Sequence, residues 1–397
     1  IVTGPRQIGK STHLKMLIKQ RITQSTKTNF LYFNCDLLDS KRDIVDLVEE
    51  YLLNFPSTER RYLFLDEITA VRDSFLAIKY LVDSGYEHNL TYIITGSNTI
   101  NIKKTGEFLP GRRGAGIDFN FLPLSFKTYL QLLYPDIDFE ISIFASESAL
   151  IEMKNKFNLS AELEKYLKTG GFPRVINEFS RHDYIPDDIF TIYRTWITSE
   201  LAKSDKKEYI AKRILERSIE NLSSDISYNA FAQDSDVGSH NTISDYLDFF
   251  NSAYILSIMY NYDLDRKQVS YRKNKKVYFT DPFIFSVIEA WLSGKPRQDY
   301  DYINNAIQRS QMMENLIYLK LKQDFNEVYF HRNQGEIDFV AGENLLESKY
   351  TNKISPEDYK ALAKFPQNKI LVTKNKLEKQ ENILLIPVEL FLICMFA

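Results

Sequence analysis

Ile1-Val2-Thr3-Gly4-Pro5-Arg6-Gln7-Ile8-Gly9-Lys10-Ser11 opens the chain, and Leu14, Met16, Leu17 and Ile18 follow it with the spacing of one apolar helix face. A β-branched run, a G-x-x-x-x-G-K-S string and a helix, in that order, make the setting that a phosphate-binding loop requires. Gly4 and Gly9 let the backbone curl so that successive N–H groups point inward. The helix N-terminus adds its partial positive charge. Gly4, Pro5, Arg6, Gln7, Ile8, Gly9, Lys10 and Ser11 are therefore the expected nucleotide-binding segment. Lys10 suits the β- and γ-phosphate oxygens of ATP, and the Ser11 hydroxyl suits Mg²⁺. The plainer alternative, a chance glycine turn, leaves the flanking strand and helix unexplained.

A metal held by Ser11 needs an acid at the end of a buried strand. Arg61-Tyr62-Leu63-Phe64-Leu65-Asp66-Glu67 supplies one, with four large apolar or aromatic residues before two acids. Continuous apolar character marks a strand covered on both faces of a parallel sheet. Asp66 is expected to hold Mg²⁺ through water, and Glu67 to orient and polarise the attacking water. Thr91-Tyr92-Ile93-Ile94-Thr95 predicts another strand, ending in Gly96-Ser97-Asn98. Ser97 is either a sensor beside the γ-phosphate or a turn residue. With Asn29–Asn34 as a further strand, the repeated β-α units predict an α/β fold with a doubly wound parallel sheet.

The series GPRQIGKS, YLFLDE, ITGSN, Leu109-Pro110-Gly111-Arg112-Arg113-Gly114-Ala115-Gly116 and Leu122-Pro123-Leu124-Ser125-Phe126 resembles a particular group of ATPases. These are archaeal and bacterial AAA-superfamily proteins whose C-terminal half is a DUF4143-type or archaeal-ATPase extension, near the STAND-like branch of P-loop ATPases. The resemblance spans essentially the whole chain. It implies that Arg112 or Arg113 is an arginine finger, the alternative being a basic loop paired with Asp118. It also implies a helical lid after Phe126 that contains Gly170-Gly171-Phe172-Pro173, with Arg174 as a second sensor.

Further on, Ile210–Leu222, Ser227–Gln233 and His240–Tyr254 read as three helices around a Val237-Gly238-Ser239 turn. Strands at Ile255–Tyr260 and Lys275–Phe279 follow, a winged helix-turn-helix pattern. Thr242, Ile243, Tyr246, Leu247 and Phe250 are spaced for packing. The stretch from Arg266 to Lys276 carries six basic residues and no acid, which suits phosphate contacts with DNA. Asp245 and Asp248 on the third helix would repel phosphates if they faced a groove, and this favours a protein partner instead.

Near the C-terminal end, Glu314 lies in a helical stretch, and strands are expected at Val328–Phe330, Gly335–Val340 and Leu345–Tyr350. Alternation predicts Glu336, Asp338 and Val340 on one strand face, and Glu347 and Lys349 on one face of the next. Asp338 followed by Glu347-x-Lys349 is the string of PD-(D/E)xK nucleases. In that pattern acids gather Mg²⁺ to activate water, and lysine assists the nucleophile. Glu314, Asp338 and Glu347 are the expected metal ligands; Asp338, Glu347 and Lys349 are the expected catalytic groups.

Composition bounds the rest. With 397 residues, 44% apolar, 26% charged and a net charge of −3, the chain is expected to hold several domains and not to coat nucleic acid by bulk charge. Two cysteines exclude a disulfide framework and a cysteine metal site, and the chain reads as cytoplasmic. No membrane span or secretory signal is predicted, and Ile383–Ala397 is expected as a buried last element. Because Ile1 starts directly in a strand, a preceding N-terminal segment is expected. The expected layout is a P-loop ATPase core over 1–140, a helical lid over 141–204, a winged helix over 205–295 and a small α/β nuclease-like domain over 300–397. The expected function is ATP hydrolysis coupled to a DNA-contacting, DNA-cleaving C-terminal half. The alternative is a STAND-like nucleotide switch acting on a protein partner or by self-association, with an inactive nuclease-like domain.

Overall fold

The computed structural model describes residues 1–23, 26–86, 89–96, 116–234, 237, 239–294, 305–333, 335–380 and 382–396. Ser97, Asn98, Arg112, Arg113 and Gly238, singled out above, lie outside the described residues. The chain divides into two compact units, Ile1–Leu122 with Ser252–Tyr254, and Pro123–Asn251 with Ile255–Ala397.

The first unit contains β1 (Val2–Thr3), α1 (Lys10–Arg21), β2 (Phe30–Asn34), α2 (Lys41–Asn54), β3 (Arg61–Asp66), α3 (Ser74–Leu81), β4 (Leu90–Gly96) and β5 (Phe119–Asn120). Its five strands are all parallel, in the order β2-β3-β4-β1-β5. Asn34 pairs with Asp66, and Thr3 with Gly96, so the loop after β1 and the acids after β3 leave from the same sheet edge. Leu63, Leu65 and Ile94 pack against Ile44 and Val48 of α2 and Phe75 and Ile78 of α3. Each such burial contributes roughly 1.5–3 kcal/mol. A capping box at Ser40 and Asp43 starts α2. The apolar face of α1 is narrower than its spacing predicted: Leu14 is fully buried, whereas Met16 is 63% exposed. Helical rotation places residue 16 away from the stripe of residues 14, 17 and 18.

The second unit begins with helices α4 (Phe126–Leu133), α5 (Glu147–Lys156), α6 (Leu159–Thr169), α7 (Pro173–His182) and α8 (Asp187–Lys203). The Gly-Gly-Phe-Pro turn between α6 and α7 is a packing junction. Leu124 N donates to the Gly171 carbonyl at 2.8 Å. A Cβ on Gly171 would lie 2.1 Å from the Leu124 carbonyl oxygen, so only glycine fits. Gly171 N donates to the buried carboxylate of Asp281 at 2.7 Å. Arg174 is exposed on α7.

Asp281 also caps α12 (Pro282–Ser293), accepting from Phe283 N at 2.7 Å. Burial pushes its carboxyl from 3.8 up to about 7, although backbone amides of Gly171, Phe283 and Ile284 pull it back. A carboxyl raised in the folded state contributes stability below its unfolded value, and loses that contribution as pH rises through its folded value. Asp281→Asn removes the titration while keeping an acceptor for one of the two amides, since Gly171 N and Phe283 N bond different carboxylate oxygens. Urea unfolding at pH 5 and pH 8 should show the parent losing more stability across this interval than the variant, by an amount on the order of a few kcal/mol.

Between α8 and α12 run α9 (Glu208–Glu220), β6 (Asp225–Ile226), α10 (Tyr228–Asp234), α11 (His240–Ser252), β7 (Leu256–Asp263) and β8 (Gln268–Phe279). Ile243, Tyr246, Leu247 and Phe250 are buried as their spacing predicted. The hairpin is longer than predicted. Most of the basic stretch belongs to β8 itself, and the turn is confined to the residues around Lys267, which sits at φ 52°. The ladder with β7 is interrupted across residues 271–274, and the charges are split between environments. Arg266, Lys267 and Arg272 are exposed, whereas Lys276 is 1% exposed. Asp245 pairs with Lys206.

The C-terminal elements are α13 (Ala306–Asp324), β9 (Tyr329–Arg332), β10 (Glu336–Ala341), β11 (Asn344–Lys349), β12 (Asn368–Thr373), β13 (Glu378–Gln380), β14 (Ile383–Pro387) and α14 (Val388–Phe391). Among the described residues they join the hairpin in one nine-stranded sheet, ordered β13-β14-β12-β11-β10-β9-β7-β8-β6. β9, β10 and β11 are antiparallel neighbours, while β11, β12 and β14 run parallel. Val340 is not on the face of the acids. A bulge between Ile337 and Val340 shifts the register, and both residues enter one apolar cluster with Leu345 and Leu362. The last segment is buried, as expected from its composition.

Candidate functional site

The loop after β1 is curled around its own lysine. Lys10 Nζ donates to the carbonyls of Gly4 at 2.8 Å and Pro5 at 2.9 Å, and the side chain is 6% exposed. Gly9, at φ 102°, leads into α1 with no described neighbour within 4 Å of a would-be Cβ, and Gln7 takes a left-handed φ of 63°. The left-handed backbone at Gly9 turns the first N–H groups of α1 toward the space in front of the loop. Gly4 has a second reason to be glycine: a Cβ there would lie 2.2 Å from the Phe121 carbonyl oxygen. Pro5 and Ile8 are buried, and Ser11 is exposed in the first turn of α1.

Asp66 ends β3 with 3% exposure and is held on both carboxylate oxygens. Tyr32 Oη donates to Oδ2 at 2.7 Å, and Thr95 Oγ1 donates to Oδ1 at 2.5 Å. The Thr95 hydroxyl also accepts from Glu67 N at 2.8 Å. Glu67 has a left-handed φ of 51°, and its carboxylate lies 4.0 Å from the Arg6 guanidinium. Burial, with the Asp66 contact next, raises the Tyr32 hydroxyl well above its ordinary range, so it remains a donor. Loop, lysine, acid pair and Thr95 thus stand together at one end of the parallel sheet. Sequence reasoning missed Tyr32 and Thr95. Their signal is positional: Tyr32 sits in the strand next to β3, and Thr95 is the last polar residue of β4. Ser97, Arg112 and Arg113 lie outside the described residues.

A hydroxyl, a buried oriented carboxylate and an ammonium on a curled glycine loop are the kinds of group that a nucleotide with Mg²⁺ takes. The bound metal would supply charge neutralisation between phosphate oxygens.

The second cluster is built from α13, β10, β11 and β8. Glu314, Asp338, Glu347 and Lys349 line a cavity of about 510 Å³, together with Lys276 and Glu336. Lys276 Nζ lies 3.0 Å from Asp338, 3.2 Å from Glu336 and 3.5 Å from Glu314. Tyr278, two residues along β8, donates to Glu314 at 2.8 Å. Ser348 N donates to Asp338 Oδ2 at 3.0 Å. Lys349 lies 4.0 Å from Glu347.

Burial would lift the Asp338 carboxyl, yet Lys276, the Ser348 amide and a hydrogen bond with Glu347 hold it below its ordinary value. Glu347 is pushed up to about 10 by burial and by the charge of Asp338. Glu314 is pushed up to about 7 by the same two causes. Burial disfavours the charged Lys276, but Asp338, Glu314 and Glu336 together outweigh it and hold the ammonium protonated. Asp338 is thus shifted toward its ionised form and Glu347 toward its protonated form, with the Lys276 ammonium beside Asp338. Among the described residues, no group of three or more His, Cys, Asp or Glu side chains is arranged to hold a metal ion. Lys276 and Tyr278 were missed by sequence reasoning, which assigned the whole basic stretch to phosphate contacts. The signal was the period-2 alternation of Lys276 and Tyr278.

Residues 1–130 match the family described as AAA domain, and residues 160–298 match a domain of unknown function (DUF8612). An uncharacterized protein of Methanocaldococcus jannaschii is 25% identical over 87% of this chain and 72% of its own length. An uncharacterized protein of Haemophilus influenzae is 25% identical over 86% of this chain and 78% of its own length. Among solved structures, Cdc6p from Pyrobaculum aerophilum is similar at 12% identity and a TM-score of 0.28, covering 75% of this chain and 88% of that one. A RuvB variant of Thermotoga maritima is similar at 16% identity and a TM-score of 0.31, covering 64% of this chain and 80% of that one. Likenesses this distant say nothing about function. The match to the AAA domain thus covers the region that carries the glycine loop, and no described helix is long and apolar enough to cross a membrane.

Proposed function

We propose that this chain, whose N-terminal region is an AAA-type P-loop domain, binds ATP with Mg²⁺, hydrolyses it, and couples nucleotide state to a DNA-contacting C-terminal half. The observation that carries the first part is the convergence of the Lys10 loop with the doubly anchored Asp66 and the adjacent Glu67. Gly4, Pro5, Arg6, Gln7, Ile8, Gly9 and Lys10 cradle the phosphates. Ser11 and Asp66 hold the metal, and Glu67 directs the water. Ser97 acts as a γ-phosphate sensor and Arg112 or Arg113 as the finger. The helices from α4 to α8 serve as a lid of the DUF4143 or archaeal-ATPase type.

The order helix, strand, helix, helix, hairpin from α9 to β8 supports a winged-helix reading, and the strand order β9-β10-β11-β12 after α13 supports a PD-(D/E)xK nuclease-like reading. In the cleaving version, Asp338, Glu347 and Glu314 hold the metal, and Lys349 assists the water. A second reading, a nucleotide switch acting on a protein partner with a silent nuclease-like cluster, is favoured by the acid-bearing third helix, with Asp245 already paired to Lys206.

DNA binding separates the two. Neutralising Arg266, Lys267 and Arg272 together leaves the buried Lys276 in place. It should weaken DNA affinity at least several-fold and flatten its dependence on salt, by up to about one unit of log–log slope per lost phosphate contact. Fluorescence anisotropy across a salt series measures both. Unchanged affinity and slope would eliminate the DNA reading in favour of the protein-partner switch. The same preparations, given Mn²⁺ and branched, single-stranded or duplex DNA, report cleavage.

A further inference from the structure

We infer that Lys276 is a resident cation of the C-terminal acid cluster: its ammonium fills the space among the carboxylates of Asp338, Glu314 and Glu336, so that the cluster as it stands excludes a divalent ion and admits one only when the lysine's charge is removed. The inference concerns cation occupancy and stands whether or not the chain cuts nucleic acid.

Three carboxylates surround one nitrogen at 3.0, 3.2 and 3.5 Å, and the lysine side chain is 1% exposed. An ammonium so far from water is costly unless opposite charges surround it, and acids brought this close repel one another unless a cation sits among them. Each group thus depends on the other. The lysine comes from β8, outside the helix–strand–strand segment that supplies the acids, and strand alternation aims it inward. Its neighbour Lys275 turns the other way, over the Tyr228 ring at 4.5 Å. Tyr278, on the same face as Lys276, adds a hydroxyl to Glu314 at 2.8 Å. The inner face of this hairpin is therefore shaped to the cluster. Lys349, the lysine of the E-x-K string, has a side chain 37% exposed and reaches only to 4.0 Å from Glu347. The two lysines do different work: Lys276 neutralises the acids, and Lys349 borders the opening of the cavity.

The test is a Mn²⁺ titration of the full chain without nucleotide, by calorimetry and thermal unfolding. Lys276→Met keeps the apolar stem and removes the charge. It should lower Tm in metal-free buffer, recover it when Mn²⁺ is added, and bind Mn²⁺ about tenfold or more tightly than the parent. Adding Asp338→Asn to it should abolish the gain, which separates this cluster from the phosphate-loop site. Lys276→Arg, which retains a cation, should stay at the parental affinity. Lys276→Gln, which still hydrogen-bonds the carboxylates, gives the same readout if Lys276→Met does not fold. If neither neutral variant binds Mn²⁺ more tightly than the parent, or if the gain survives Asp338→Asn, the inference is overturned. Because no nucleic acid enters the experiment, this failure is distinct from failure of the nuclease-like reading.

Discussion

Lys10→Ala is expected to lose ATP binding while the fold persists. The ammonium donates to the Gly4 and Pro5 carbonyls of its own loop, and a neutral methyl cannot pair with phosphate oxygens. Loss of a charge-assisted contact of this kind should weaken affinity about 100-fold or more. The cost to stability should be on the order of 1 kcal/mol, because the hydrogen bonds to Gly4 and Pro5 are local. Calorimetric titration with ATP and Mg²⁺, set beside a thermal unfolding curve, distinguishes a missing ligand contact from a missing fold. Normal nucleotide affinity in a folded Lys10→Ala chain would refute the assignment of the loop.

Glu67→Gln should leave ATP bound and nearly stop its turnover. Glu67 sits in a left-handed turn immediately after Asp66, with its amide fixed by the Thr95 hydroxyl and its carboxylate near Arg6. Glutamine preserves the length and the backbone contact but cannot take a proton from water. A general base of this type accounts for about 10²–10⁴-fold of a rate. Phosphate release measured at saturating ATP should fall by that factor, while the affinity for ATP changes about threefold at most. An unaltered rate would place the base elsewhere. The pairing of the two variants is informative: the lysine variant should fail at binding and the glutamate variant at chemistry.

What could be read in advance was what short stretches encode. The glycines, Lys10 and Ser11 lie within eight consecutive residues, and a loop between a strand and a helix has few ways to arrange them. Asp66 and Glu67 follow a run whose apolar character marks a buried strand, so their place at a sheet edge is local information too. The C-terminal hairpin acids were legible by the same period of 2. Alternation misled at Val340, because a bulge shifts the register there, and a bulge has no reliable mark in the string of residues. Helical spacing misled at Met16, where apolar character did not coincide with the buried stripe.

The amino-acid sequence by itself determined the phosphate loop, the acid pair, the parallel-sheet class and most helices and strands, because each depends on neighbours a few positions apart. Only the tertiary structure decided which strand lies between the loop and the acids, bringing Thr95 onto Asp66 from 29 residues away. Only it decided that Lys276 enters an acid cluster 62 residues further along the chain from its own position. Such pairings arise when whole strands stack in one sheet, and their partners are set by burial and charge balance across distances that local spacing does not encode.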